Sequence, residues 1–356
     1  MTASAARLVA ALALAAGLAG CETIGYYAQS IGGHLAIVRA ARPVSEVIAD
    51  PQTDPRLRQR LELAQRMRDF AVTDLHEPDN QSYRRYADLH RSAAIWNVVA
   101  APELSLELER WCFLVVGCVG YRGYYDQAAA DAFAHGLQAR GLETSVYPVP
   151  AYSTLGRLPF DSFADPLLST FIFYPESELA HLVFHELAHQ IAYAPGDTEF
   201  NESFAVAVER IGAERWLRLH AGEPAREEAA RIEARREDFR TLTSRYRAAL
   251  ESLYRSDLPD ADKRARKAEL FAAMRAEHEA LKRERWAGFA GYDAWFARAN
   301  NASMGVLAAY NEGVPAFLRL LEREGGDLDR FYAEVKRLAA LPANERHAAL
   351  AREAGS

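Results

Sequence analysis

The chain has 356 residues, 50% of them hydrophobic and 26% charged, enough for one large domain or two modest ones with a sizeable core. A formal net charge of −7 gives no electrostatic support to a nucleic-acid partner. After residue 20 no apolar run approaches the roughly 20 residues that a membrane-spanning helix needs.

At the N-terminus, Arg7 precedes the apolar stretch Leu8 to Ala19, the texture of a secretory signal. The stretch ends in Leu18-Ala19-Gly20-Cys21, which resembles a bacterial lipobox. The resemblance implies a lipoprotein signal peptide over 1–20 and a lipid on Cys21. Because Glu22 rather than Asp follows, it also implies the periplasmic face of the outer membrane, with membrane contact through the anchor only. An ordinary secretory signal with an incidental cysteine is the alternative.

Residues 22–50 read as mixed, with Gly32-Gly33 and Pro43 as breakers. Residues 55–70 carry Leu57, Leu61, Ala64 and Met67 at helical spacing under a basic outer face. From Ile95 to Pro150 the texture turns to strands: Trp96 to Val99, Phe113 to Val116 and Thr144 to Val149. A helix from Gln127 to Arg140, closed by Gly141, separates the last two and predicts a small sheet. In an exported chain Cys112 and Cys118 could form a disulfide. Straight strand would hold them roughly 20 Å apart, beyond the limit of about 7 Å between bridged Cα atoms. They pair only if the chain folds back, which Gly117 permits; two small buried thiols are the alternative.

Residues 177–194 and 200–220 read as two helices joined by a turn at Pro195-Gly196-Asp197. The strongly charged stretch 221–287, broken at Leu258-Pro259-Asp260, reads as a helical hairpin. Its outer face is either solvated or a surface for a protein partner. The last seventy residues are helical, with turns at Gly313, Gly325-Gly326 and Pro342. The expected organisation is a catalytic domain over 21–220, the hairpin over 221–287, and a helical part over 288–356 that completes the catalytic domain. The fold class is α+β, dominated by helices.

The chemistry sits in His185-Glu186-Leu187-Ala188-His189. Residues four apart share one face of a helix, so His185 and His189 can reach one metal ion together. Glu186 lies beside that face, where it can hold a water. His181 also lies four residues before His185, but that register puts Leu182 where the base must stand. Catalytic zinc takes three protein ligands and leaves a position for water. The third must come from the helix after the turn. Glu202 is favoured, with Glu199 and Glu209 as rivals and Glu209 also a partner for a ligand histidine.

These blocks, with Gly196-Asp197-Thr198 and Asn201 to Ala205, resemble a family of bacterial predicted aminopeptidases. Further matching stretches are Ser82-Tyr83, Trp96-Asn97-Val98, Gly117 to Tyr124, Ala151 to Gly156, Asp165 to Thr170 and Gly313 to Phe317. The resemblance implies a zincin-like metallopeptidase with two histidines and a glutamate on Zn2+. Its substrate is a peptide and Glu186 is its base. Two departures stand out. The Gly-x-Met-Glu-Asn segment that well-understood zinc aminopeptidases use to bind a free amine is absent. Val206 also stands where such enzymes often place an acidic residue four after the ligand glutamate. For the oxyanion, Tyr310 is favoured, with Tyr152 or Tyr121-Arg122 as alternatives. Two rival functions stay open: an envelope scaffold or chaperone clipped by zinc, and a zinc amidase acting on cell-wall peptides.

Overall fold

The computed structural model describes residues 25–113, 117–151, 164–309 and 313–355. Cys21, Tyr310, Tyr152 and residues 114–116 of the strand expected at 113–116 lie outside them.

Residues 25–40 form the first helix, α1. It runs through Gly32-Gly33, which the sequence marks as a break. The helix survives because Gly33 packs against a ring: a Cβ there would lie 2.1 Å from Cγ of Tyr125. The two residues of β1 (Arg42–Pro43) and the helices α2 (Val44–Ala49) and α3 (Pro55–Thr73) follow. Asp54 caps α3 by accepting from the amides of Arg56 and Leu57. Strand β1 pairs antiparallel with β2 (Arg85–Ala87), which pairs in parallel with β8 (Leu167–Leu168).

A second sheet is built on β3 (Ile95–Pro102). It is flanked antiparallel by β6 (Arg122–Tyr124) and β7 (Leu142–Val149). Side chains alternate across a strand. Trp96, Val98 and Ala100 therefore face α4 (Gln127–Gln138), while Val99 and Ala101 face Ala302 on the other side. A third sheet is the hairpin of β4 (Trp111–Phe113) and β5 (Gly117–Val119). The strands so fall into three small sheets rather than one. In the hairpin Cys112 stands opposite Cys118 and the two are disulfide-bonded. Gly117, at φ +77°, is in the conformation that turns the strand back.

The core is helical. Helix α5 (Glu176–Ala188) lies against α6 (Thr198–Leu219). Leu179, Val183, Phe184 and Leu187 of α5 are fully buried with Phe200 and Phe204 of α6. Each such side chain contributes about 1.5–3 kcal/mol. Helices α11 (Val314–Arg323), α12 (Leu328–Ala339) and α13 (Ala343–Gly355) close this core, with Phe317 and Phe331 against Phe204. The charged hairpin is α7 (Glu223–Arg255) and α8 (Asp260–Glu284). A buried stripe of Leu242, Tyr246 and Leu250 meets Phe271 and Met274. Helices α9 (Asp293–Arg298) and α10 (Asn301–Ala309) pack beside it. The fold is a helix-dominated α+β structure with small sheets. No described helix is long and apolar enough to cross a membrane.

Candidate metal centre

Helix α5 presents His185 and carries His189 at its C-cap; α6 presents Glu202. One donor atom from each lies within 4.8 Å of the others. Nε2 of His185 is 3.2 Å from Nε2 of His189 and 3.2 Å from a Glu202 carboxylate oxygen. Nε2 of His189 is 3.8 Å from the other Glu202 oxygen. The structure thus brings together the three residues that spacing had singled out.

The rivals of Glu202 are elsewhere. Glu209 approaches His185 from the opposite side of the ring, its carboxylate accepting from Nδ1 at 2.7 Å. Seven residues separate it from Glu202, two turns along the same helical face. It stands as the partner of a histidine, one of the two parts the sequence had left open for it, while Val206 occupies the position four after Glu202. His181 meets the other oxygen of Glu209 at 3.5 Å, so it touches the orienting carboxylate and not the donor cluster. Glu199 stands in the first turn of α6.

Glu186 is partly buried and makes no hydrogen bond to any described residue. Burial pushes its carboxyl up to about 7; His185 opposes the rise, and Glu202, Asp165 and Glu209 add to it. Burial lowers His189 to about 4. Burial also disfavours charge on His185, but hydrogen bonds to Glu202 and Glu209 outweigh it and hold that imidazole well above its usual range. Burial would raise Glu209 as well, yet its bonds to His181 and His185 hold it far below the usual carboxylate range.

Several residues that spacing could not assign hold this geometry. Asn201 clamps the turn between the helices: its side chain accepts from the amide of Ala194 at 2.7 Å and donates to the Ala194 carbonyl at 2.8 Å. Asp197 caps α6 through the amide of Phe200 and pairs with buried Arg346 of α13 and with His347. Gln190, next after His189, accepts from Asn80 and donates to Ser82. Fully buried Arg68 holds that loop through the carbonyls of Pro78, Asn80 and Ser82. One signal was present: Arg68 falls on the same helical stripe as Leu61 and Ala64, an odd place for a guanidinium.

Of the oxyanion alternatives, Tyr121 feels the charges of Glu202 and Glu186, and burial raises its phenol far above the usual range. Arg122 turns away, its guanidinium between the rings of Tyr26 at 4.2 Å and Phe133 at 4.5 Å. A second acidic cluster, His278, Glu279 and Asp293, already holds a cation: the Lys282 ammonium lies 2.8 Å from Glu279 and 2.9 Å from Asp293.

A family model described as "Putative aminopeptidase" matches residues 25–350. The chain belongs to that family. No curated protein and no solved structure matches it. The matched span takes in every element that builds the centre, from Arg68 on α3 to Arg346 on α13.

Proposed function

We propose that the chain is a zinc-dependent peptidase, with His185, His189 and Glu202 holding the ion and Glu186 as general base. The observation that carries this reading is a three-donor cluster with a fourth side chain, Glu186, beside it and free of hydrogen bonds among the described residues. Two imidazoles and a carboxylate are a donor set that suits zinc. The separations of 3.2 Å from Nε2 of His185 to Nε2 of His189 and to one Glu202 oxygen are close to the edge of roughly 3.3 Å expected for a tetrahedron with bonds of about 2.0–2.1 Å. The Glu209–His185 bond is the arrangement that fixes a ligand histidine in orientation and tautomer. A purely structural clip has no need of Glu186.

When bound, zinc acidifies water and polarises the scissile carbonyl. Glu186 holds the attacking water, takes its proton and passes it to the departing amine. Burial raises the basicity of this carboxylate, which suits it to take up and hand on a proton. Tyr121, kept protonated by burial and by the charge of Glu202, offers a hydrogen bond to the developing oxyanion. Membership of the aminopeptidase family favours removal of N-terminal residues, and the lipobox-like sequence favours an envelope protein anchored through Cys21.

The test is a peptide-library digest with purified protein, with and without chelator. Cleavage should stop with chelator and return with zinc. Undiminished cleavage in chelator refutes zinc dependence, and no cleavage under any condition refutes the peptidase.

A further inference from the structure

A cavity of about 650 Å3 opens between the β3–β7 sheet, the α5–α6 turn and α10. Its floor is apolar: Val99, Leu106, Leu108, Tyr147 and Val306 line it. Leu108, Tyr121, Tyr147 and Val306 belong to one hydrophobic cluster and are only partly buried by it. All four line the cavity, and Tyr147 lines a neighbouring one as well. Two features join the cavity to the proposed catalytic groups. Tyr121 lines it and feels Glu202 and Glu186. Thr198 and Glu199, on its wall, precede Glu202 by about one turn of α6.

Each cationic group at the rim already has partners: Arg346 and His347 share Asp197, Arg247 pairs with Glu251 at 2.8 Å, and Arg110 donates to the carbonyls of Cys118 and Gly196. The acids Glu107 and Glu199 also line it and disfavour an anion. A charged ligand would have to compete with these partners. An apolar one gains by covering the floor, at about 25 cal/mol for each Å2 removed from water. The volume lies within the range of about 300–1,000 Å3 usual for ligand pockets and exceeds what one side chain fills.

We infer that this cavity is the specificity pocket of the proposed peptidase, and that it receives a bulky apolar side chain, with its backbone, next to the scissile bond. The inference rests on the peptidase reading. Tyr121 is the wall shared by the pocket and the catalytic groups. Val306 and Leu108 set the depth of the pocket.

The experiment is a peptide library fixed in turn at each position flanking the cleaved bond, digested by the zinc-loaded full chain and by Val306→Phe and Leu108→Ala. The wild type should prefer Leu or Phe over Asp or Gly at one flanking position by at least about tenfold, since one methylene in an apolar pocket is worth about 10–200-fold. Val306→Phe should lower the Phe-to-Ala ratio of kcat/KM at that position about tenfold or more. Leu108→Ala should shift preference toward Trp. Melting curves and zinc content identify a variant that has not folded, and the other variant then decides. Peptides bound to the uncleaving Glu186→Gln protein should rank in the same order by calorimetry. A wild type that cleaves peptides but shows no apolar preference overturns the pocket alone. So does a preference that both folded variants leave unmoved. A wild type that cleaves nothing overturns the peptidase and the pocket together.

Discussion

Replacing Glu186 by Gln separates catalysis from stability in opposite directions. The substitution keeps shape and hydrogen bonding but removes the proton acceptor, while His185, His189 and Glu202 remain. Turnover should fall by roughly 10² to 10⁴ with zinc content unchanged, the usual worth of a positioned acid–base group. Stability should move the other way. In the folded protein this carboxyl sits at about 7 instead of 4.5. Ionising it therefore costs at most about 3 kcal/mol, and about 2 kcal/mol once solvent screening of its partial exposure is allowed for. The sign follows from the raised folded-state value. Below pH 4.5 the carboxyl is protonated in both states and costs nothing. The cost grows from pH 4.5 to 7 and is constant above. Zinc-free Glu186→Gln should thus melt with the wild type at pH 4, and about 3 °C higher at pH 8 for a chain of this size. Differential scanning calorimetry on the zinc-free proteins reads the stability, and peptide turnover with metal analysis reads the rest. Full turnover in Glu186→Gln would falsify the general-base assignment. A stability gain of the same size at both pH values would show that ionisation is not its source.

Four further outcomes are expected. Wild-type kcat/KM should decline with acid at a midpoint below about 7, because bound zinc favours the Glu186 carboxylate relative to the zinc-free protein; a rate flat from pH 8 to 4 contradicts that role. Glu202→Ala should abolish stoichiometric zinc while Glu199→Ala keeps it, read by metal analysis of dialysed protein. Glu209→Ala should weaken zinc affinity by about 10–100-fold through loss of the bond to His185, measured by competition with a chelator of known affinity. Reducing the Cys112–Cys118 bridge, which closes a short loop, should cost about 2 kcal/mol, or about 3 °C in Tm; an unchanged melt would mean that the hairpin contributes nothing to stability.

The helices were legible because they announce themselves at both ends. Asp54 and Pro55 open α3, Gly141 closes α4, and Pro259 precedes α8. The histidine pair was legible for a related reason: spacing of four on a helix fixes a shared face whatever the rest of the fold does. What spacing cannot reach is contact between distant segments. Helix α1 crosses two glycines because Tyr125, some ninety residues later, fills the space beside Gly33. Glu209, seven residues after Glu202 on the same face, was left open between rival donor and partner of a histidine, and only its contact with Nδ1 of His185 separates the two. The bridge between Cys112 and Cys118 depends on a reversal that Gly117 permits but does not dictate.

The turn joining α5 to α6 shows why the centre needs so much chain around it. Two histidines on one helix place themselves; the distance from them to Glu202 is set by the turn alone. That turn is held from three sides. Asn201 bonds back to Ala194, Arg346 of α13 pairs with Asp197, and Arg110 donates to the carbonyl of Gly196. The bridged hairpin also presses on it. A Cβ at Gly117 would lie 2.8 Å from the amide nitrogen of Gly196, so only glycine lets the two backbones meet. A displacement of even 1 Å at Glu202 would spoil donor separations near 3.2 Å. The C-terminal helix and the bridged hairpin, both distant in sequence from the histidines, are therefore part of the centre's construction. This gives the family's match over residues 25–350 a physical counterpart: a centre carried by two helices is positioned by segments drawn from most of the chain.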